Sequence, residues 1–215
     1  MRLAALALSL ALPATAISGT VSGRVELIEK GGRRANDLSE AVVWVEGPRV
    51  PAEPTAARVD MRGKTFVPHL TVVLLGGSVS FPNQDRILHN AFSLSGENRF
   101  DLDLYKSPKS REWKPKAAGI VRVYCNIHPQ MSAIVLVRDN PFWARVSADG
   151  RFAIPGVPAG QWTVKAWHER SGELARRVTV AAEGDVPLDL TLDASGYRTA
   201  THKNKFGQDY SRDEY

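Results

Sequence analysis

Three residues that can bind a metal share one short segment, Cys125-x-x-His128-x-x-Met131. A second histidine, His89, lies upstream on a turn between two predicted strands. A thiolate, two imidazoles and a thioether form the soft ligand set that selects copper, with the methionine as a weak axial ligand. These four residues therefore predict one copper site, although a thiolate and imidazoles also bind zinc.

Predicted β-strands flank this segment and would position its ligands. The apolar run 119–124 leads directly into Cys125, so the cysteine would be held rigidly at a strand end. A short loop then returns His128 and Met131 to the same metal. The fourth ligand has to come from a neighbouring strand, which is where His89 would lie in a β-sandwich.

Composition and pattern predict an all-β protein. The 215 residues include 13 prolines and 17 glycines, as expected for many short strands and turns. Residues 19–46 predict a pair of strands, prolines mark a boundary at about 47–56, and short extended runs follow over 58–94. Residues 95–118 are polar and predict a long surface loop with a short helix, and further strands are predicted over 148–192.

The N-terminal residues predict export. The chain has a positive start at Arg2, an apolar run over 3–12 and a small-x-small cleavage signal at 14–16. We therefore expect residues 1–16 to be a signal peptide whose removal leaves a periplasmic protein that begins near Ile17. No later apolar run reaches the roughly 18 residues that a transmembrane helix needs, so no stable membrane insertion is expected.

Charge and cysteine content argue against other classes of protein. The formal net charge is +5, but the basic residues are scattered along the chain, so no nucleic-acid partner is expected. Cys125 is the only cysteine, which rules out an intramolecular disulfide framework. In an exported protein, an unpaired thiol is a liability unless something occupies it.

The segment 57–140 resembles the cupredoxins, particularly the amicyanin type, which has the same Cys-x-x-His-x-x-Met spacing. Upstream, Phe81-x-Asn83-x-Asp85 followed by His89-Asn90 looks like the corresponding ligand segment of plastocyanin-like proteins. The whole chain resembles exported plastocyanin-like proteins that are often labelled methylamine utilisation proteins. The resemblance implies that His89, Cys125 and His128 are the equatorial ligands and that Met131 is the axial ligand. It implies supporting roles beside the metal for Asn83, Asn90 and Pro129. It also implies that Asn90 ties the two ligand loops together by hydrogen bonding.

The rest of the chain resembles a carboxypeptidase-regulatory or transthyretin-like β-sandwich. The resemblance lies in residues 19–25 and 41–47 and in the later segments 149–152 and 157–162. We therefore expect a cupredoxin Greek-key β-sandwich inserted in, or flanked by, a second small β-sandwich. The predicted units are a signal peptide (1–16), a split outer sandwich (17–53 plus 143–196), a copper domain (57–142) and a polar tail (197–215), either disordered or draped over the surface.

The predicted function is that of a periplasmic type 1 copper protein, not an enzyme. It would hold one copper ion per chain and carry single electrons between transient redox protein partners. His128 would offer an exposed edge for transfer, and Ile127 and Pro129 would supply an apolar contact surface. His69 is expected outside the metal's ligand set, and His168 and His202 are expected to have surface roles.

Three alternative functions remain open from the sequence. The chain could be a periplasmic copper-binding or delivery module without redox turnover, although it contains only three methionines. It could be a Cys-His hydrolase with Cys125 as its nucleophile, but such an enzyme gives Met131 no role. It could also be a metal-free β-sandwich that binds other molecules, for which the only support is three tryptophans, Trp143, Trp162 and Trp167.

Overall fold

The computed structural model describes residues 18–182, 184–199 and 202–210, and in these the protein consists of short strands. The strands are β1 (Ser18–Ile28), β2 (Val42–Glu46), β3 (Ala56–Arg58), β4 (Asp60–Met61), β5 (Phe66–Val67), β6 (Leu70–Leu74), β7 (Ser78–Pro82), β8 (Phe92–Ser93), β9 (Phe100–Asp101), β10 (Ser110–Trp113), β11 (Gly119–Tyr124), β12 (Ser132–Arg138), β13 (Trp143–Arg145), β14 (Arg151–Pro158), β15 (Gly160–His168), β16 (Gly172–Val180), β17 (Asp185–Pro187) and β18 (Leu190–Asp193). Two single 3-10 turns occupy Lys30–Gly32 and Gly96–Asn98. The predicted all-β class is confirmed, whereas the predicted signal peptide lies outside the described residues.

Residues from both ends of the described chain form one apolar core between two sheets. In the first sheet β1 lies between β14 and β17 and also pairs with β18, and the second sheet has the order β13-β2-β15-β16. The core between them comes from residues 21–45 and 142–194. Both strands predicted within residues 19–46 are present, but they do not pair with each other, because β1 and β2 lie in different sheets. Each strand pairs instead with distant partners, and its core-facing side chains pack against the opposite sheet.

The continuous segment between these two ends forms a second core. Its sheets have the orders β6-β12-β11-β8-β9 and β10-β7-β3, and β4 and β5 form a short additional pair. The apolar side chains between these sheets come from residues 59–137. Phe142 already packs in the first core. The domain boundaries at 53–57 and 142–143 stay a prediction, and this division of the two cores supports them.

Two strands are buried on both faces and bring the cores into contact. In β2, Val43 and Val45 point into the first core, whereas Trp44 packs in a third apolar cluster. In β12, Ile134 and Leu136 enter that same cluster. Burial on both faces explains why both strands are continuous apolar runs instead of alternating sequences. Each large side chain buried there contributes about 1.5–3 kcal/mol.

The region 95–118 is more ordered than its polar sequence predicts. It contains a 3-10 turn and the strands β9 and β10 instead of one long surface loop. Trp113 is buried and stacks on Phe100 with ring centroids 4.6 Å apart. These aromatic side chains anchor the region to the second core, which overrides the polar character of the intervening residues. No helix among the described residues is long and apolar enough to cross a bilayer.

Candidate metal centre

A strand hairpin positions the segment that carries the predicted ligands. β11 and β12 pair in antiparallel fashion with Tyr124 opposite Ser132, so residues 125–131 form the loop that joins them. This ligand loop is closed by its own backbone: Cys125 N–H donates to the carbonyl of Met131 at 3.2 Å, and Met131 N–H donates to that of His128 at 3.0 Å. Cys125 and Met131 are fully buried. The alternation of β11 thus delivers the cysteine into the second core.

His89 reaches the same place from the connection between β7 and β8. Its backbone pairs with that of Tyr105 in both directions, through N–H to carbonyl bonds of 3.0 and 2.9 Å. Three residues later, Phe92 of β8 pairs with Tyr124 of β11. Because Tyr124 directly precedes Cys125, this register places His89 beside the ligand loop.

The side chains of His89, Cys125 and His128 converge. Nδ1 of His89 lies 3.0 Å from Nδ1 of His128, and Sγ of Cys125 lies 3.7 Å from the same Nδ1 of His128. All three donor atoms lie within 4.8 Å of one another. His89 is fully buried and His128 is half-buried. Two imidazole nitrogens and one sulfur thus face a common point at the end of the second core.

Asp85 fixes the orientation of the His89 ring, a role that the sequence did not assign to it. Its Oδ2 lies 2.8 Å from Nε2 of His89, and the carboxylate also accepts the backbone N–H groups of Gly63 and Lys64 at 2.8 and 2.9 Å. These bonds and the nearby His89 hold the pKa of Asp85 low, although burial opposes them. The ionised carboxylate accepts the Nε2 proton, which leaves the Nδ1 lone pair free for a metal. The sequence carried no signal for this contact, because it depends on how the turn between the two residues folds.

Two buried asparagines organise the loops around the ligands. The Asn83 amide donates to the carbonyls of Ile87 and Tyr105 at 3.0 and 2.8 Å, which shapes the turn that carries His89. Oδ1 of Asn90 accepts the backbone N–H of Asn126 at 2.6 Å. Asn90 therefore joins the upstream loop to the ligand loop, as its predicted role requires.

Burial sets the protonation of the ligands. It raises the pKa of the Cys125 thiol, while the backbone N–H groups of Asn90, Ile127 and His128 oppose the shift by favouring the thiolate. Burial also lowers the pKa of His128, and the neighbouring His89 ring lowers it further. At neutral pH the cysteine is therefore a thiol and His128 a neutral imidazole, so a metal that binds here displaces the thiol proton.

The donor set is compatible with a copper ion. One sulfur and two imidazole nitrogens, largely shielded from solvent, match the trigonal part of a blue-copper site. Met131 ends the same loop and is fully buried, and its part as the weak fourth ligand stays a prediction.

The remaining predicted residues lie around this group. Pro129 is exposed on the ligand loop, whereas Ile127 is only 7% exposed and packs in the second core, so the prediction that it offers a contact surface is wrong. His69 lies outside the cluster of His89, Cys125 and His128, as expected, and its ring contacts Glu169.

Two further histidines depart from their expected surface roles. His168 ends β15 and is only 5% exposed, because the neighbouring turn folds back and donates the Arg170 N–H to its Nδ1 at 3.1 Å. His202 is half-buried against Tyr124, next to the ligand loop. Neither position could be found from the sequence, since each depends on contacts between distant segments.

Comparison with known proteins gives partial likenesses. A family model described as polysaccharide lyase family 4, domain II, matches residues 110–187, less than half of the chain. No curated protein matches the chain.

Among solved structures, three copper or cupredoxin proteins are similar to part of the chain. A copper-containing nitrite reductase from Thermus scotoductus SA-01 has 24% identity and a TM-score of 0.38, and the match covers 41% of this chain and 24% of that one. A purple cupredoxin from Nitrosopumilus maritimus has 19% identity and a TM-score of 0.35, and the match covers 38% of this chain and 99% of that one. A reduced mutant of amicyanin has 19% identity and a TM-score of 0.37, and the match covers 45% of this chain and 98% of that one. The chain thus spans about a quarter of the reductase and nearly all of the two smaller proteins.

Proposed function

We propose that this protein is a periplasmic type 1 copper protein that carries one electron at a time between redox partners. The observation that carries the proposal is the convergence of His89 Nδ1, His128 Nδ1 and Cys125 Sγ within 4.8 Å of one another. Copper bound there would alternate between Cu(I) and Cu(II) and so accept and release a single electron.

The residues around the ligands support this role by restraining them. The β11–β12 hairpin holds both ends of the ligand loop, Asp85 orients the ring of His89, and Asn90 bonds the two loops together. Partners of this kind fix the orientation of ligating groups and tune the metal they hold. Ligands that stay in place in both oxidation states suit an electron carrier, because little rearrangement then accompanies transfer.

The surface beside the ligands suits brief contact with a protein partner. Ile87, Leu88 and Leu104 are 42%, 45% and 42% exposed, although each is a large apolar residue. They adjoin the backbone bridge between His89 and Tyr105. We assign the partner contact to these three side chains, which replace Ile127 in that role.

The burial of Cys125 argues against a hydrolase. A nucleophilic cysteine must meet its substrate as a thiolate, yet Cys125 is 0% exposed and burial raises its pKa. The tryptophans that favoured a metal-free binding protein are also accounted for by packing. Trp167 is 3% exposed in the third cluster, Trp143 packs against that cluster, and Trp162 packs against the first core.

Repeated redox cycling tests the carrier role against copper delivery. The copper-loaded full-length protein is reduced with ascorbate and re-oxidised with ferricyanide in the presence of a Cu(I)-selective chelator. A carrier bleaches and regains its visible absorption in each cycle and keeps its copper. Transfer of the copper to the chelator in the first reduction would contradict the carrier role and favour delivery.

A further inference from the structure

The polar segment 202–210, named here the C-terminal strap, lies against the ligand loop. Nε2 of His202 lies 2.7 Å from the carbonyl oxygen of Pro129. The imidazole ring also stacks on the phenol ring of Tyr124, with centroids 3.9 Å apart and planes 19° from parallel. One side chain of the strap therefore contacts residues on both sides of the Cys125–His128 segment.

Two other strap residues bond to the ligand loop itself. The backbone N–H of Lys205 donates to Oδ1 of Asn126 at 2.9 Å, and its ammonium group pairs with Asp101. The hydroxyl of Tyr210 donates to the carbonyl of Cys125 at 2.7 Å. The strap thus holds the backbone of a ligand residue and the side chain of its neighbour.

The strap has a defined turn of its own. Oδ1 of Asn204 accepts the backbone N–H groups of Phe206 and Gln208, both at 3.0 Å, and Asn204 N–H donates to the carbonyl of Gln208 at 2.9 Å. Gly207 has φ 77°, a conformation that favours glycine, within this turn. The turn sets the spacing between His202 and Tyr210, so that both reach the ligand loop.

We propose that the C-terminal strap holds the ligand loop in the conformation in which its ligands converge, and thereby slows the release of bound metal. His202 and Tyr210 are the positioning residues, since they secure the backbone of Pro129 and Cys125 on either side of His128. A loop restrained in this way loses less conformational freedom when the metal binds. The part that concerns metal release rests on the proposed copper site, whereas the restraint of the loop does not.

Amide hydrogen exchange of the metal-free, full-length protein tests the restraint directly. The variants are His202→Ala and Tyr210→Phe, alone and combined, and the measured region is residues 124–131. Loss of one or two hydrogen bonds should speed exchange there by roughly threefold to tenfold. Gln208→Ala is the control, because its side chain is exposed and its bonds to Asn204 are made by the backbone. Unchanged exchange in the double variant would overturn the proposal.

Metal release to a chelator tests the consequence. The rate at which the copper-loaded protein gives up its metal to a Cu(I)-selective chelator, under ascorbate, should rise in the double variant and stay unchanged in Gln208→Ala. Faster amide exchange without faster release would overturn the claim about metal retention. If the wild-type protein binds no copper, the proposed function fails, and the amide-exchange result still decides whether the strap restrains the loop.

Discussion

Nε2 of His69 lies 2.8 Å from Oε2 of Glu169, and this pair links the two cores of the protein. His69 directly precedes β6 in the segment that forms the second core, and Glu169 directly follows β15, a strand of the first core. On its other side the His69 ring contacts the carbonyl of Ser132 at 3.1 Å, directly after the ligand loop. The pair therefore joins the first core to β12, the strand that begins directly after the ligand loop.

This pair should make stability depend on pH. The bond to Glu169 raises the pKa of His69, with Glu40 and Ser132 adding to the shift and burial opposing it, and Arg122 also pairs with Glu169. Since its folded-state pKa is raised, His69 stabilises the fold fully below its unfolded pKa and loses that contribution as pH rises through the folded value. The stability advantage of the wild type over His69→Gln should therefore be larger at about pH 5.5 than at about pH 8.5.

Urea unfolding of the two metal-free proteins at both pH values measures this difference. Glu169→Gln is the matched variant on the other side of the pair, and it should remove the same pH-dependent contribution. An equal advantage of the wild type at the two pH values would contradict the role assigned to the pair.

His168 should have the opposite pH dependence. Burial lowers its pKa to about 4, with the charge of Arg170 adding to the shift. The unfolded chain therefore takes up a proton that the folded protein refuses between about pH 6.5 and pH 4, and stability falls as pH decreases through this window. His168→Asn keeps an acceptor near the Arg170 N–H and should flatten this loss, by up to about 3 kcal/mol at the acid end. Urea unfolding at several pH values measures this difference. If the free energy of unfolding falls equally for the wild type and His168→Asn between about pH 6.5 and pH 4, the effect is ruled out.

Asp85→Asn should weaken metal binding without unfolding the protein. The amide cannot supply the negative charge that holds the Nε2 proton of His89, so the Nδ1 lone pair is less firmly presented. Loss of such a supporting partner typically reduces metal affinity by about tenfold to a hundredfold. Copper affinity is measured by competition with a chelator of known strength. Asp149→Asn is the control, because the pKa of that carboxylate is also lowered but it lies on the exposed turn before β14, where it pairs with Arg151 and Ser147. Equal copper affinities in the two variants would show that Asp85 does not support metal binding.

Asn90→Ala should destabilise the fold and loosen the metal site. The substitution leaves the partly buried N–H of Asn126 without its acceptor and also removes the 3.0 Å bond to Asp101. An unpaired buried polar group costs about 1–3 kcal/mol. Urea unfolding measures the loss, and the exposed Asn36→Ala should stay within about 0.5 kcal/mol of the wild type. A similarly small effect at Asn90 would show that the two loops hold their positions without it.

The motif predicted the centre of the site because its geometry is local. Cys125 follows a strand, and a loop of seven residues must return to the next strand, so the spacing alone brings His128 close to the cysteine. His89 was predicted to come from a neighbouring strand, and the structure brings it there by pairing Phe92, three residues after His89, with Tyr124, which precedes Cys125. The Asp85 carboxylate was not assigned, since its role depends on the turn that Asn83 shapes.

Contacts between distant segments could not be derived from the sequence. The alternation of β1 predicts a strand but not which strand it pairs with, so its assignment to the same pair as β2 was wrong. The apolar run of β12 indicates that both of its faces are buried. It does not show which strand of the first core covers the second face. The tail from residue 197 has no periodicity, and the contacts of its described residues with the ligand loop depend on individual polar bonds.

The visible absorption spectrum of the Cu(II)-loaded protein, recorded beside that of Cys125→Ser, tests the copper site most directly. We expect an intense thiolate-to-copper band in the wild type that saturates at one copper per chain and is lost in the variant, because Cys125 is the only cysteine of the sequence. Circular dichroism of both metal-free proteins confirms that each is folded. A folded wild-type protein that takes up Cu(II) without this band, or one whose band survives in Cys125→Ser, would contradict the proposed type 1 site.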